Sequence, residues 1–247
     1  MSICGDPVFL GGGGGAGTII SKDITQNGTY NALSDNADGY NPVIVDVSPD
    51  PAVPSLPATY QEVEYVAGDG NSWVSVTPPV SNGVLCVDAE QDDLEVNSMI
   101  CGYRTGATQW YDWNVGSAGS EQRWYFRNGG NAVDMPATIT LVGKRITSRA
   151  LILFGGSPIS SGSGGGFTIR PMLIGNYYAT TGSAAYGPIK GKIFYVRILN
   201  PGTNTWAAAY VPCYRKADNV VGFYDVVNSA FYINAGSGSF TAGPDVT

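Results

Sequence analysis

The stretch "GKIFYVRILN", Gly191 to Asn200, decides the fold, because apolar and polar residues alternate along it. Phe194, Val196 and Ile198 fall on one side, Tyr195 and Arg197 on the other. A period of two marks a β-strand with one face on a core and one in water, since successive side chains of a strand point to opposite sides. Segments of the same kind recur in both directions. Upstream they are "QEVEYV" (61–66), "WVSV" (73–76), "VLCVDAE" (84–90), "SMICGY" (98–103), "QWYDWNV" (109–115), "QRWYFR" (122–127), "ATITLV" (137–142), "ALILF" (150–154) and "FTIRPMLI" (167–174). Downstream come "TWAAAYV" (205–211), "GFYDV" (222–226) and "AFYIN" (230–234). Clusters of Gly, Asn and Pro separate them, and none shows three turns of helical periodicity with caps. The expected fold class is all-β, a two-sheet antiparallel jelly-roll sandwich.

The closing stretch "VGFYDVVNSAFYINAGSGSF" (221–240) carries five aromatic residues and a single acid, Asp225. It reads as two short strands paired through a turn at Asn228 and Ser229, followed by a glycine-spaced tail that lies along an edge and plugs in Phe240.

Four prolines between Pro49 and Pro57 make residues 49–58 a stiff spacer that divides the chain. Residues 59–247 form the main domain. Residues 18–48 form a small β module, with a possible strand at Ile19 and Ile20, a hairpin signal at Asn27–Gly28 and alternating Val43, Val45 and Val47. Residues 1–17 form a glycine-rich arm in which Gly11, Gly12, Gly13, Gly14 and Gly15 offer no side chain to pack. The arm and the module, with Tyr30 and Tyr40, are the candidate attachment surface. The Asp35–Gly39 loop misses the calcium-loop register, which needs an oxygen ligand at Ala37, and is a turn.

Charged residues make up 13% of the chain, about half the usual share, so it solvates itself with hydroxyls, amides and backbone. The formal net charge of −7 leaves no basic stripe for phosphates, and nucleic acid is not an expected partner. Histidine is absent, which removes Ser-His-Asp and Cys-His catalysis and the commonest zinc ligand. Cys4, Cys86, Cys101 and Cys213 are widely spaced, with no CxxC, and are expected as buried thiols rather than metal ligands. The first residues lack a basic region and a long apolar run, so neither a secretory signal nor membrane insertion is expected. No cofactor is expected. The glycine runs at 11–15 and 162–166 lack the Lys-Ser/Thr of a phosphate loop.

The beginning "LPATYQEVEYV" and the end "YVPCYRKADNVVGFYDVVNSAFYINAGSGSFTAGP" of the main domain resemble the ends of concanavalin-A-like, laminin-G-like lectin/glucanase domains. Those domains occur in surface proteins of phages and prophages of gut Firmicutes, and "GKIFYVRIL" is similar to the strand before their closing segment. The resemblance covers residues 56–244, strongly at the ends and weakly in the middle, and the 18–48 module is similar to a β unit often placed before such domains. It implies a virion surface protein made in a bacterial host's cytoplasm, with other virion proteins and host cell-surface polysaccharide as partners. On the same analogy it is a homo-oligomer, a trimer as in many fibres. The family's glycan contacts follow no fixed motif, so none is carried over.

Glycan candidates therefore come from the residues themselves. In "QWYDWNV" and "QRWYFR", Trp110, Tyr111, Trp113, Trp124 and Tyr125 offer flat rings beside Asp112, Asn114 and Arg123, which suits a polyol. Tyr177, Tyr178 and Tyr186 form a second cluster. An enzyme would need paired carboxylates. Asp88, Glu90 and Asp92 alternate, but Ala89 and Gln91 between them give no core face, and the acids read as a solvated strand end. Glu62 and Glu64 read as the wet face of a strand whose Val63 and Tyr65 face the core. The favoured function is a non-enzymatic virion adhesin. A capsid decoration protein without glycan binding and a polysaccharide-degrading enzyme are the alternatives.

Overall fold

The computed structural model describes residues 28–31, 51–80, 82–92, 98–104, 110–118, 121–129, 137–142, 145–153, 172–175, 189–200 and 202–247. In chain order the strands are β1 (Gly28–Asn31), β2 (Tyr60–Glu62), β3 (Val66–Asp69), β4 (Val74–Val76), β5 (Asn82–Gln91), β6 (Ser98–Arg104), β7 (Trp110–Ala118) and β8 (Glu121–Gly129). They continue with β9 (Ala137–Val142), β10 (Arg145–Leu153), β11 (Met172–Ile174), β12 (Lys190–Asn200), β13 (Thr205–Arg215), β14 (Val220–Asp225), β15 (Ala230–Ile233) and β16 (Phe240–Ala242). Every strand segment expected in the main domain forms at least in part, all recorded pairings are antiparallel, and no helix occurs among the described residues.

Two sheets result. The larger runs β1-β9-β10-β5-β12-β13-β14-β15, and the smaller runs β4-β11-β6-β7-β8. They share one apolar core, in which Val74, Val76, Ile100, Cys101, Met172 and Ile174 from the smaller sheet meet Leu85, Val87, Ala89, Ile193, Val196, Ile198, Tyr210 and Phe223 from the larger. Each element contributes alternate residues to this layer, which is why the period of two is visible in the sequence.

At the deciding strand the alternation slips. A β-bulge lies between Ile193 and Tyr195: Ile193 pairs with Ala89 and Tyr195 with the next residue back, Asp88. One extra residue thus stands on β12, and bulges re-aim side chains. Ile193, Val196 and Ile198 are fully buried in the shared core, while Phe194 turns to the opposite face, under Arg145. The expectation that Phe194 shares a side with Val196 and Ile198 is corrected accordingly. "QEVEYV" is broken in a similar way. The chain bends at Glu64, so Val63 is buried in the core whereas Tyr65 faces outward, against Phe194.

β12 and β13 pair from Val196–Tyr210 to Asn200–Thr205, and then part. The wedge between them is filled by both ends of the main domain. β3 pairs with the start of β12, β2 with the end of β13, β16 with β3, and Val63 bridges Asp245. Phe240 enters the core edge-on to Phe223, with ring centroids 5.9 Å apart, as expected for the tail.

The proline-rich stretch, expected as a spacer, is seated on the outer face of the larger sheet from Pro51 onward. Val53 packs against two apolar clusters there, one of Cys86, Leu199 and Trp206 and one containing Val211, Cys213 and Tyr224; Leu56 joins the second. The Trp206 indole N–H donates to the Pro51 carbonyl at 2.8 Å. Prolines keep such a segment extended, and an extended segment can lie across strands without strands of its own.

From the 18–48 module the structure describes β1. Gly28, expected in a hairpin turn, instead opens this strand, which pairs with β9 from Gly28–Leu141 to Asn31–Thr138. The remaining module residues, the arm and the Asp35–Gly39 loop lie outside the described residues.

Candidate functional site

The bulge at Phe194 builds a polar and aromatic strip on the outer face of the larger sheet. Asp88 and Glu90 on β5 share this face because Val87 and Ala89 take the core face. Arg145 on β10 donates to both carboxylate oxygens of Asp88 at 2.7 Å, the bidentate geometry that suits a guanidinium. Its guanidinium carbon also lies 3.7 Å from the centroid of Phe194. Lys192 on β12 donates to Glu90 at 2.6 Å and stands 5.3 Å from the Tyr65 ring, which meets Phe194 edge-on at 5.6 Å. The hydrogen bond to Glu90, aided by that residue's charge, raises the Lys192 ammonium above its ordinary value.

This strip revises the reading of the acids. Asp88 is only 6% exposed, so it is not a solvated strand end; its guanidinium partner makes burial tolerable. Two residues along a strand separate carboxylates by roughly 7 Å, a spacing glycosidases use. Here, however, both oxygens of Asp88 are engaged by Arg145, and Glu90 is engaged by Lys192. The two acids and two cations pair off beside the part-exposed rings of Tyr65 and Phe194. No cluster of three or more metal-ligating side chains occurs among the described residues.

The sugar-site candidates lie on the hairpin of β7 and β8 at one edge of the smaller sheet. The register sorts them into two rows. Ile174, Cys101, Trp113 and Phe126 stand directly opposite one another across four strands, as do Leu173, Gly102, Asp112 and Arg127. The register places Trp110, Tyr111, Asp112 and Trp113 on β7 and Trp124 on β8, with Asp112 opposite Arg127, Trp113 opposite Phe126, Asn114 opposite Tyr125 and Val115 opposite Trp124. Tyr177, Tyr178 and Tyr186 lie outside the described residues, as do Gly11, Gly12, Gly13, Gly14, Gly15 and Tyr40. Tyr30 stands opposite Ile139 in β1, at the edge of the larger sheet.

The single acid of the closing stretch has a structural task that its surroundings explain. Asp225 is 1% exposed, and one of its oxygens accepts backbone N–H groups from Ala209, Val227 and Asn228. The other accepts the Asn228 side-chain amide, which also donates to the Ala207 carbonyl. One carboxylate thereby ties the β14–β15 turn to β13, and Ser229 closes the turn at φ +56°. A second hub holds the tail. The Asn234 side chain accepts N–H groups from Trp73 and Gly236, and Asp69 accepts those of Asn71 and Ser239. A Cβ at Gly236 would meet the Trp73 ring, and one at Gly238 the Asp69 carboxylate, so both glycines permit close approach. Cys86, Cys101 and Cys213 are buried as thiols, and burial pushes Cys213 up to about 12.

No protein-family model, curated protein or solved structure matches the chain.

Proposed function

We propose that this protein is a non-enzymatic bacteriophage virion surface protein, a jelly-roll domain of the concanavalin-A-like type displayed for weak attachment to host-surface glycans. The observation that carries the reading is the separation of anchorage from display. The two ends of the main domain are zipped together through β3–β16 and the Val63–Asp245 bridge, and residues 51–57 are fastened beside them on the larger sheet. In the smaller sheet β4, which touches β15, stands at one edge, and the β7–β8 hairpin stands at the other. A domain held through its zipped ends leaves that hairpin pointing away from the particle. Its paired strands carry Trp110, Asp112 and Asn114 with Tyr125 and Arg127, rings and directional polar groups within one hairpin, the set a polyol ligand needs. The engaged acids of the outer strip favour display over hydrolysis. Repetition on a symmetric particle turns weak single contacts into firm attachment, and the partners are other virion proteins and further copies of the chain.

Immunogold labelling of intact particles tests the placement. Gold on the head or tail surface is the expected result, and particles that stay unlabelled while the lysate reacts contradict it. Particles assembled with a chain lacking residues 1–17 should lack the protein, because that arm is assigned to docking.

A further inference from the structure

Arginines of the larger sheet share one kind of seat. Among the described side chains, Arg145 lies over Phe194 and grips Asp88, and Arg215 lies 5.5 Å from the Phe231 ring centroid and grips Asp218. Arg197 on β12 is seated in the same way, its guanidinium carbon 4.4 Å from the centroid of Tyr195 and 5.6 Å from that of Trp206. It grips no carboxylate among the described residues, although the chain has 20 acids for 13 Lys and Arg. Tyr195 stands opposite Asp88 and packs with Trp206 on the outer face, so Arg197 continues the strip of Asp88, Glu90, Arg145 and Lys192. The residues directly opposite it, Cys86 and Ala209, are small and buried, and neither sets a long side chain beside it.

We infer that Arg197 receives the carboxylate of an acidic sugar, a second binding position on a sheet other than the hairpin's. Rings against its flat face hold a guanidinium in one plane and leave the N–H groups of its edge for a bidentate oxyanion, the pairing that Arg145 makes with Asp88. Arg197 is part-exposed, so a ligand can reach it. The formal charge of −7 repels a dense polyanion, and the ligand it admits is a largely neutral glycan with isolated acids. The inference rests on the glycan reading and adds a ligand class to it.

The test uses the full chain and follows arginine Nε–H signals in proton–nitrogen NMR spectra at constant ionic strength. Added glucuronate should move the Arg197 signal and saturate in the millimolar range, where a single charged contact belongs, while the Arg145 and Arg215 signals stay in place. Glucose should move none of them. Glucose 6-phosphate separates the two oxyanions: a weaker response is expected, and saturation at a lower concentration than glucuronate overturns the carboxylate assignment. Arg197→Lys keeps the charge but loses the fork, so glucuronate binding followed at the Trp206 indole N–H should weaken about tenfold, and equal binding counts against the site. An Arg197 signal that glucuronate leaves unmoved overturns the inference. So does one that moves on Asp50→Asn without ligand, because the acid preceding Pro51 then already fills the place. Wall polysaccharide retained by a protein whose Arg197 signal is unmoved sinks this inference alone, whereas loss of that retention counts against the glycan reading.

Discussion

Asp225 shows how much of this fold hangs on single polar side chains. Its carboxylate collects three backbone N–H groups and one amide in a nearly dry place. Asp225→Ala strands those donors, and a loss of about 3 kcal/mol is expected, because a buried donor without an acceptor costs more than a hydrogen bond contributes. Urea unfolding measures it, and Asp225→Asn, which keeps one acceptor, should cost less. Asp69 gives a pH signature. Burial works against its ionised form, but the N–H groups of Ser239 and Asn71 and the Ser72 hydroxyl outweigh it and hold the carboxyl below its ordinary 3.8. A carboxyl depressed in the folded state contributes stability that is complete above its unfolded value and is lost as pH falls through the folded one. The tail should therefore loosen first below about pH 4. Amide exchange at Ser239 reads this directly, and Asp69→Asn should remove the pH dependence.

At the scale of elements, the proline-rich stretch is a strap. Its hold rests on the Trp206–Pro51 hydrogen bond, on Val53 between two apolar clusters and on Leu56 against one of them. Trp206→Phe keeps a ring but deletes the donor, at a cost of about 1 kcal/mol. Thermolysin should then cut between residues 49 and 58 about fivefold faster, since cleavage tracks the population of the opened strap, while residues 59–247 survive. Equal cleavage rates would mean that the strap is not held there. Strand positions were legible from alternation, and so were the Asn228–Ser229 turn and the Phe240 plug, because local chemistry dictates each. The inserted residue at Phe194 was not, since a bulge changes the face of a side chain without changing composition. Nor was the strap: prolines announce an extended chain, but whether it crosses solvent or a sheet depends on an apolar face assembled from distant strands. In the hairpin the rings and polar groups could be read from the sequence, but which of them stand opposite one another could not, because that depends on the β7–β8 pairing register.

For the whole molecule, the joined ends of the main domain and the β7–β8 hairpin belong to different sheets. The first and last strands of the main domain pair with each other, the strap lies on the sheet they belong to, and the β7–β8 hairpin stands at the far edge of the other sheet. Acids that could have served a cleft are spent on ion pairs along the outer strip. The central claim is that this surface binds without breaking bonds. Incubating the purified protein with cell-wall polysaccharide from the host, and following both retention and new reducing ends, tests it most directly. The account predicts retention that weakens on Asp112→Ala with Trp110→Ala, and no new reducing ends; release of sugar that disappears on Asp88→Asn or Glu90→Gln would contradict it.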